Sequence, residues 1–296
     1  MTYSIVARDP DTGELGVAVQ SHWFAAGIVC WARAGVGAVA TQAMALVEHG
    51  PLGLDLMAGG ATAAEALAAR LEADPEREHR QVAMVDRRGG VAVHTGASCI
   101  REAGHRTGEG FSCQANMMRR PTVWDAMADA FAGSSGPLAD RLLLALEAAE
   151  AEGGDIRGRQ AARLLVVRAE ATDRPWEDVL VDLRVDDHPD PLPELRRLLT
   201  LHRAYERLER AEELELAGDL EGAFAERRAA MALVPDNPEI AFWTAVSLAL
   251  ADRLDEARAA LAVALPADPG WAELLRRLGE QRLMGLTPEL ASRLLA

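Results

Sequence analysis

Lysine is missing from this chain: all 31 basic residues are arginines, set against 46 acidic ones for a formal net charge of −15. Arginine supplies positive charge but never serves as a base, because its guanidinium stays protonated. With no basic run to act locally against the acidic field, nucleic acid and anionic membrane are disfavoured as partners. The lysine gap and the abundance of alanine read together as GC-rich coding bias.

Cysteine is scarce as well. Cys30, Cys99 and Cys113 show no CxxC spacing and cannot all pair, which fits a reducing compartment. No apolar run reaches the ~18 residues of a membrane span. Residues 1 to 30 carry Asp9, Asp11 and Glu14 and no basic segment ahead of an apolar stretch, so no signal peptide and a cytoplasmic location are expected. GxGxxG, HExxH and a GxxxxGK loop ending in Ser or Thr are all absent, so dinucleotide, nucleotide and zinc-protease chemistry lack their motifs, and no cofactor is expected.

What is present suffices for a folded core. Hydrophobic residues make up 49% of 296 and charged residues 26%, an ordinary globular composition long enough for two domains. Thr2 to Arg8 and Glu14 to Gln20 alternate and are β-branched around the turn formers DPDTG, predicting a hairpin. Gly35 to Gln42 reads as a third strand. HGPLGLDLMAGG and ATAAEALAARLEAD read as helices, the second opened by a capping box from Thr62 to Glu65. A second hairpin turns at Gly89-Gly90, and HRTGEGFSCQANMM is expected as one strand with a turn at its end. Two helices broken at GSSGP and the strands ARLLVVRAE and DVLVDLRVDD follow before helix resumes at PELRRLL. Blocks of strands and helices in this order predict an α+β layered domain over 1–202, not an alternating parallel sheet.

Residues 203–296 contain a repeat. Ala211, Ala223, Ala230 and Pro235 recur 34 positions on as Ala245, Ala257, Ala264 and Pro269, and Leu220 as Leu254. That period, with small residues at packing positions and a closing proline, resembles the tetratricopeptide repeat, against a generic alanine-rich helical pair. A third copy starts at Leu278-Gly279 and runs out. So few repeats are expected to pack on the first domain or on a second chain, and to hold a protein partner.

Thr2 stands directly behind Met1 at the head of a strand. A threonine at a free N-terminus carries its own base, since its α-amine can take the hydroxyl proton, and a residue as small as Thr2 normally permits removal of Met1. The strand layout resembles the N-terminal-nucleophile hydrolases, and TYSIVARDPDTGELGVAV, ARAGVGAVATQA, VAVHTG, GDIRGRQAA and LRVDDHPDPLPELRRLL are similar to the bacterial family called domain of unknown function 1028. The resemblance implies a four-layer αββα domain followed by an all-α repeat unit, a homo-oligomer, and a small-molecule amide or related C–N substrate.

Carried over residue by residue, the resemblance implies Thr2 as nucleophile and Gln20 where those enzymes have an aspartate. It implies Arg33 in place of their lysine, Asp155 as holder of the terminal amine, a backbone NH near Thr41-Gln42 in the oxyanion hole, and Asn116 as a second donor to it. The rival reading is a non-catalytic protein that keeps the fold as a binding platform. His22, His94, His105 and His188 with Cys99 or Cys113 lack zinc-type spacing, so no metal is expected. Asp186-Asp187-His188-Pro189-Asp190 reads as a strand end and helix cap. Cys99 in GASC offers a thiol with no base fixed beside it.

Overall fold

The computed structural model describes residues 2–296. Met1, and with it the expectation of its removal, lies outside the described residues.

β1 (Thr2–Arg8) and β2 (Leu15–Ser21) form the first hairpin, in register from Tyr3↔Gln20 to Arg8↔Leu15. Its turn is closed by Asp9, whose Oδ1 accepts from the amides of Asp11 and Thr12. Gly13 supplies the left-handed residue at φ 77°. The next strands are β3 (Cys30–Arg33), β4 (Gly37–Ala43), β5 (Arg80–Asp86), β6 (Val91–Thr95), β7 (Gly104–Gly108), β8 (Phe111–Asn116), β9 (Ala161–Val167) and β10 (Val179–Val185). They build a six-stranded sheet, β10-β9-β2-β1-β8-β7, and a four-stranded sheet, β3-β4-β5-β6. Every pairing is antiparallel.

Strand alternation decides what each face meets. Val6, Val17 and Val19 of the larger sheet share a core with Ala38, Ala40, Ala83 and Val85 of the smaller one. The helices α1 (His49–Ala58) and α2 (Ala63–Glu72) cover the other face of the smaller sheet, burying Leu54, Met57, Ala66 and Leu67 against Val39, Val82 and Met84. The expected capping box at Thr62 and Glu65 is present. Against the larger sheet pack α3 (Val123–Ala132) and α4 (Leu138–Ala151). Gly16 is required there, because a Cβ would stand 2.6 Å from Leu142 Cδ1.

Two strand expectations are corrected. Cys30–Arg33 is an extra strand, too short to show an alternating pattern. Residues 104–116 form two strands joined through Gly110 at φ 71°, not one.

The chain divides into two compact units, the first ending at Arg196 and the second beginning at Arg197. The cut falls within α5 (Pro191–Leu216). The second unit continues through α6 (Leu220–Leu233), α7 (Pro238–Leu250), α8 (Leu254–Ala264), α9 (Gly270–Glu280) and α10 (Pro288–Leu295). Side chains of Asp219, Asn237 and Thr287 cap three of these helices. The repeated alanines Ala211, Ala223, Ala230, Ala245, Ala257 and Ala264 are all fully buried. The third copy is more complete than expected. Gly279 lies 34 positions after Ala245 and Ala291 lies 34 after Ala257. A Cβ on Gly279 would stand only 2.9 Å from the Ala291 Cβ. Among the described residues no helix is long and apolar enough to cross a membrane.

Candidate functional site

Thr2 heads β1, and Gln42, Gln81 and Asn116 all sit at the same end of the two sheets as their register pairs require. Thr2 is buried, and its Oγ1 donates to Ser21 Oγ at 3.1 Å. The Thr2 carbonyl accepts from Gln42 Nε2 at 3.1 Å and from Asn116 Nδ2 at 3.3 Å. Gln81 Oε1 accepts from the same two amides at 2.7 and 3.1 Å, and its own Nε2 donates to Thr95 Oγ1 and to the carbonyls of Gly104 and Ala115. Ser4 Oγ donates to Gln42 Oε1 at 2.7 Å. Each buried polar atom left unpaired would cost about 1–3 kcal/mol, so a closed layer of this kind fixes its members in one arrangement. The residues that follow the two amides, Ala43 and Met117, are left-handed at φ 70° and 59°. Such non-glycine positions cost of order 1–3 kcal/mol each, and here they turn both chains away at the site's edge.

Two arginines stand beside Thr2, each gripped from behind. Asp155 is buried; its Oδ1 accepts from the Arg157 amide at 2.9 Å and from Nε at 3.2 Å, while Oδ2 accepts from Nη2 at 2.9 Å and from the His22 amide at 3.3 Å. Arg80 donates through Nε to Asp74 Oδ2 at 2.9 Å and through Nη1 to the Met44 carbonyl. Asp74 also meets the fully buried His49 ring at 3.1 Å. Burial alone would push the Asp74 carboxyl up, but hydrogen bonds from Arg80, the Glu76 amide and His49 outweigh it and bring it down to about 2. Burial lowers His49 and holds it toward the neutral form.

Thr2, Ser21, Gln42, Arg80 and Arg157 open on a cleft of about 360 Å³, whose apolar wall includes Trp23, Val29 and Met44.

Residues 2–195 match the family described as a family of unknown function, DUF1028, and residues 214–278 match the tetratricopeptide repeat. The chain belongs to the DUF1028 family. It is similar to the crystal structure of a DUF1028 protein from Silicibacter pomeroyi, with 33% identity and a TM-score of 0.60, over 67% of this chain and 84% of that one. No curated protein matches.

Within this DUF1028 chain the sequence-derived candidates divide. Thr2, Gln42 and Asn116 come together, and Asp155 joins them through the His22 amide and Arg157. Gln20 does not. It pairs with Tyr3, and both point to the opposite face of the sheet, where Tyr3 Oη donates to Glu150 of α4 at 2.8 Å. The residue beside Thr2 is the next one, Ser21. Arg33 is also elsewhere: it pairs with Gly37, five residues or about 16 Å of strand from Gln42, and bridges Asp55 at the surface. Asn116 has both amide hydrogens engaged by Thr2 O and Gln81 Oε1, so it positions Thr2 and is not a ready oxyanion donor.

Sequence reasoning missed Ser21, Gln81, Arg80 and Arg157. Alternation from Thr2 across the hairpin points to Ser21, and Arg157 is two residues from Asp155; Arg80 carries no local signal. The remaining histidines serve turns and carbonyls: His94 Nε2 meets Arg77 O, His105 Nδ1 meets Thr95 Oγ1, and His188 Nδ1 accepts from the Asp190 amide. Cys99 donates to Arg80 O, and burial pushes its thiol up, away from the reactive thiolate. Among the described residues no three His, Cys, Asp or Glu side chains gather as a metal site.

Proposed function

We propose that this DUF1028 protein hydrolyses a small amide or related C–N bond with Thr2 as the nucleophile. One observation carries the reading: Thr2 lines a cleft while its carbonyl is pinned by two buried amides, an arrangement that fixes the residue's position beside the space a substrate would fill. Two antiparallel sheets with a shared core and helix pairs packed on their other faces support the four-layer reading of the N-terminal-nucleophile hydrolases. With Met1 removed, the Thr2 α-amine takes the hydroxyl proton as Oγ1 forms a bond to the substrate carbonyl carbon. Collapse breaks the C–N bond, and the leaving nitrogen takes the proton from the ammonium. Water then attacks the ester, passes a proton through the same amine to Oγ1, and the acid departs.

Two measurements test this. Intact mass establishes whether Met1 is absent. Because the sequence has no lysine, cyanate carbamylates one primary amine only, the α-amine at the head of the chain. A screen over acylated amino acids, ureido acids and small amides should find turnover that cyanate and Thr2→Ala both abolish and Thr2→Ser retains in part. Equal turnover by wild type and Thr2→Ala overturns the reading.

The second reading is a binding platform, favoured by the commitment of the Asn116 and Gln42 amides to Thr2. Its repeat unit matches a tetratricopeptide repeat, and such repeats suggest protein–protein interaction. We assign the hydrolase-like domain to 1–202 and the repeats to 203–296, and place the protein in the cytoplasm as a homo-oligomer. Light scattering and fractionation test the last two.

A further inference from the structure

We infer that the Thr2 cleft takes a small monoanionic substrate, a carboxylate-bearing acyl compound with an apolar body, whose carboxylate docks on Arg80 beside Arg157. The inference rests on the same cleft as the proposed hydrolysis but not on turnover.

The chain carries a net charge of −15, yet among the described residues the charged groups lining this cleft are two arginines and no acid. Their counter-charges are set behind them: the carboxylates of Asp74 and Asp155 are 3% and 0% exposed, while the arginine side chains they hold are 15% and 31% exposed. An anion entering the cleft therefore meets guanidinium first, and in a partly desolvated setting that attraction is screened far less than on the open surface. Arg80 is built for this role. Nε is fixed by Asp74 and Nη1 by the Met44 carbonyl, so the planar fork is oriented before any ligand arrives, and Nη2 has no partner among the described residues. Asp74 is itself braced by His49 and by the Glu76 amide.

The charge state of the ligand follows from the pairing. Each arginine is already paired with one carboxylate, so the two pairs are together neutral and a single added negative charge leaves less uncompensated charge in the cleft than the two of a phosphate monoester. Trp23, Val29 and Met44 supply an apolar wall for the rest of the molecule, and about 360 Å³ admits a body the size of an acylated amino acid.

The test uses full-length protein, wild type and Thr2→Ala, with N-acetyl-L-phenylalanine, its neutral primary amide, and phenyl phosphate as probes, titrated by calorimetry at low salt. The acid should bind at least tenfold more tightly than the amide in both proteins, and more tightly than phenyl phosphate. Arg80→Gln should bring the acid down to the affinity of the amide without changing the amide. If that variant does not fold by circular dichroism, the loss of the acid-over-amide preference with rising salt in the unmutated protein is the second readout. Equal affinity for acid and amide, tighter binding of phenyl phosphate, or no binding of any probe at millimolar concentration overturns the inference. Because Thr2→Ala is included, failure of hydrolysis leaves the binding result intact, and failure of binding leaves the Thr2 reading to its own tests.

Discussion

Ser21 Oγ lies 3.1 Å from Thr2 Oγ1, the hydroxyl of one strand end facing the hydroxyl of its hairpin partner. Ser21→Ala removes the side-chain hydroxyl that accepts from Thr2 Oγ1 and leaves the strand pairing untouched. Turnover on any substrate found should fall roughly tenfold, equivalent to about 1.4 kcal/mol of barrier, with KM unchanged. Steady-state kinetics check this; an unchanged kcat would leave Ser21 as a structural hydroxyl.

The Asp74 anchor predicts acid sensitivity. Its folded pKa, about 2, lies below the ordinary 3.8. Its stabilisation is therefore complete above pH ~4 and is lost as pH falls through 2, worth roughly 2 kcal/mol. Urea melts between pH 4 and 2 should show wild type losing that increment and Asp74→Asn losing far less.

Gln20 is fully buried, and neither its Oε1 nor its Nε2 has a partner among the described residues. Gln20→Leu removes both orphaned groups at similar volume. Stability should rise by about 1–2 kcal/mol, read as a higher urea midpoint, while activity stays the same because the side chain faces away from Thr2. A lower midpoint would mean that the amide is satisfied after all.

In the repeat unit, Gly279→Leu drives a side chain into Ala291, and Ala257→Phe overpacks the position 34 residues before Ala291. Each should cost about 1–3 kcal/mol. Neutral thermal melts for both would show that the close approaches are not needed.

The sequence made the elements legible wherever local chemistry sets them. Thr62 with Glu65, the DPDTG turn and the alanine period each carry their own reason on neighbouring residues. Residues 104–116 read as one strand in the sequence because the turn at Glu109-Gly110 is short and the strands around it are only five and six residues long. The site was harder. The position where the resemblance implies an aspartate is Gln20, one residue short of Ser21, and in a strand a shift of one residue selects the opposite face. Arg33 stands just ahead of Gly35–Gln42 in the sequence, and the ladder places it against Gly37, at the end of that strand away from Gln42. Arg80 reaches the cleft that Thr2 lines only because β5 pairs with β4, a contact between distant segments that no local pattern encodes.

The polar layer around Thr2 is made of glutamine, asparagine, serine and threonine, and the cleft's charges are guanidiniums. None of these groups exchanges a proton between pH 4 and 10. The side chains that line the cleft and bond Thr2 therefore keep one charge state over that whole interval and present fixed dipoles to its oxygen. On the Thr2 reading, the rise of turnover with pH then belongs to the α-amine at the head of the chain, and no lining side chain of the cleft adds an inflection of its own.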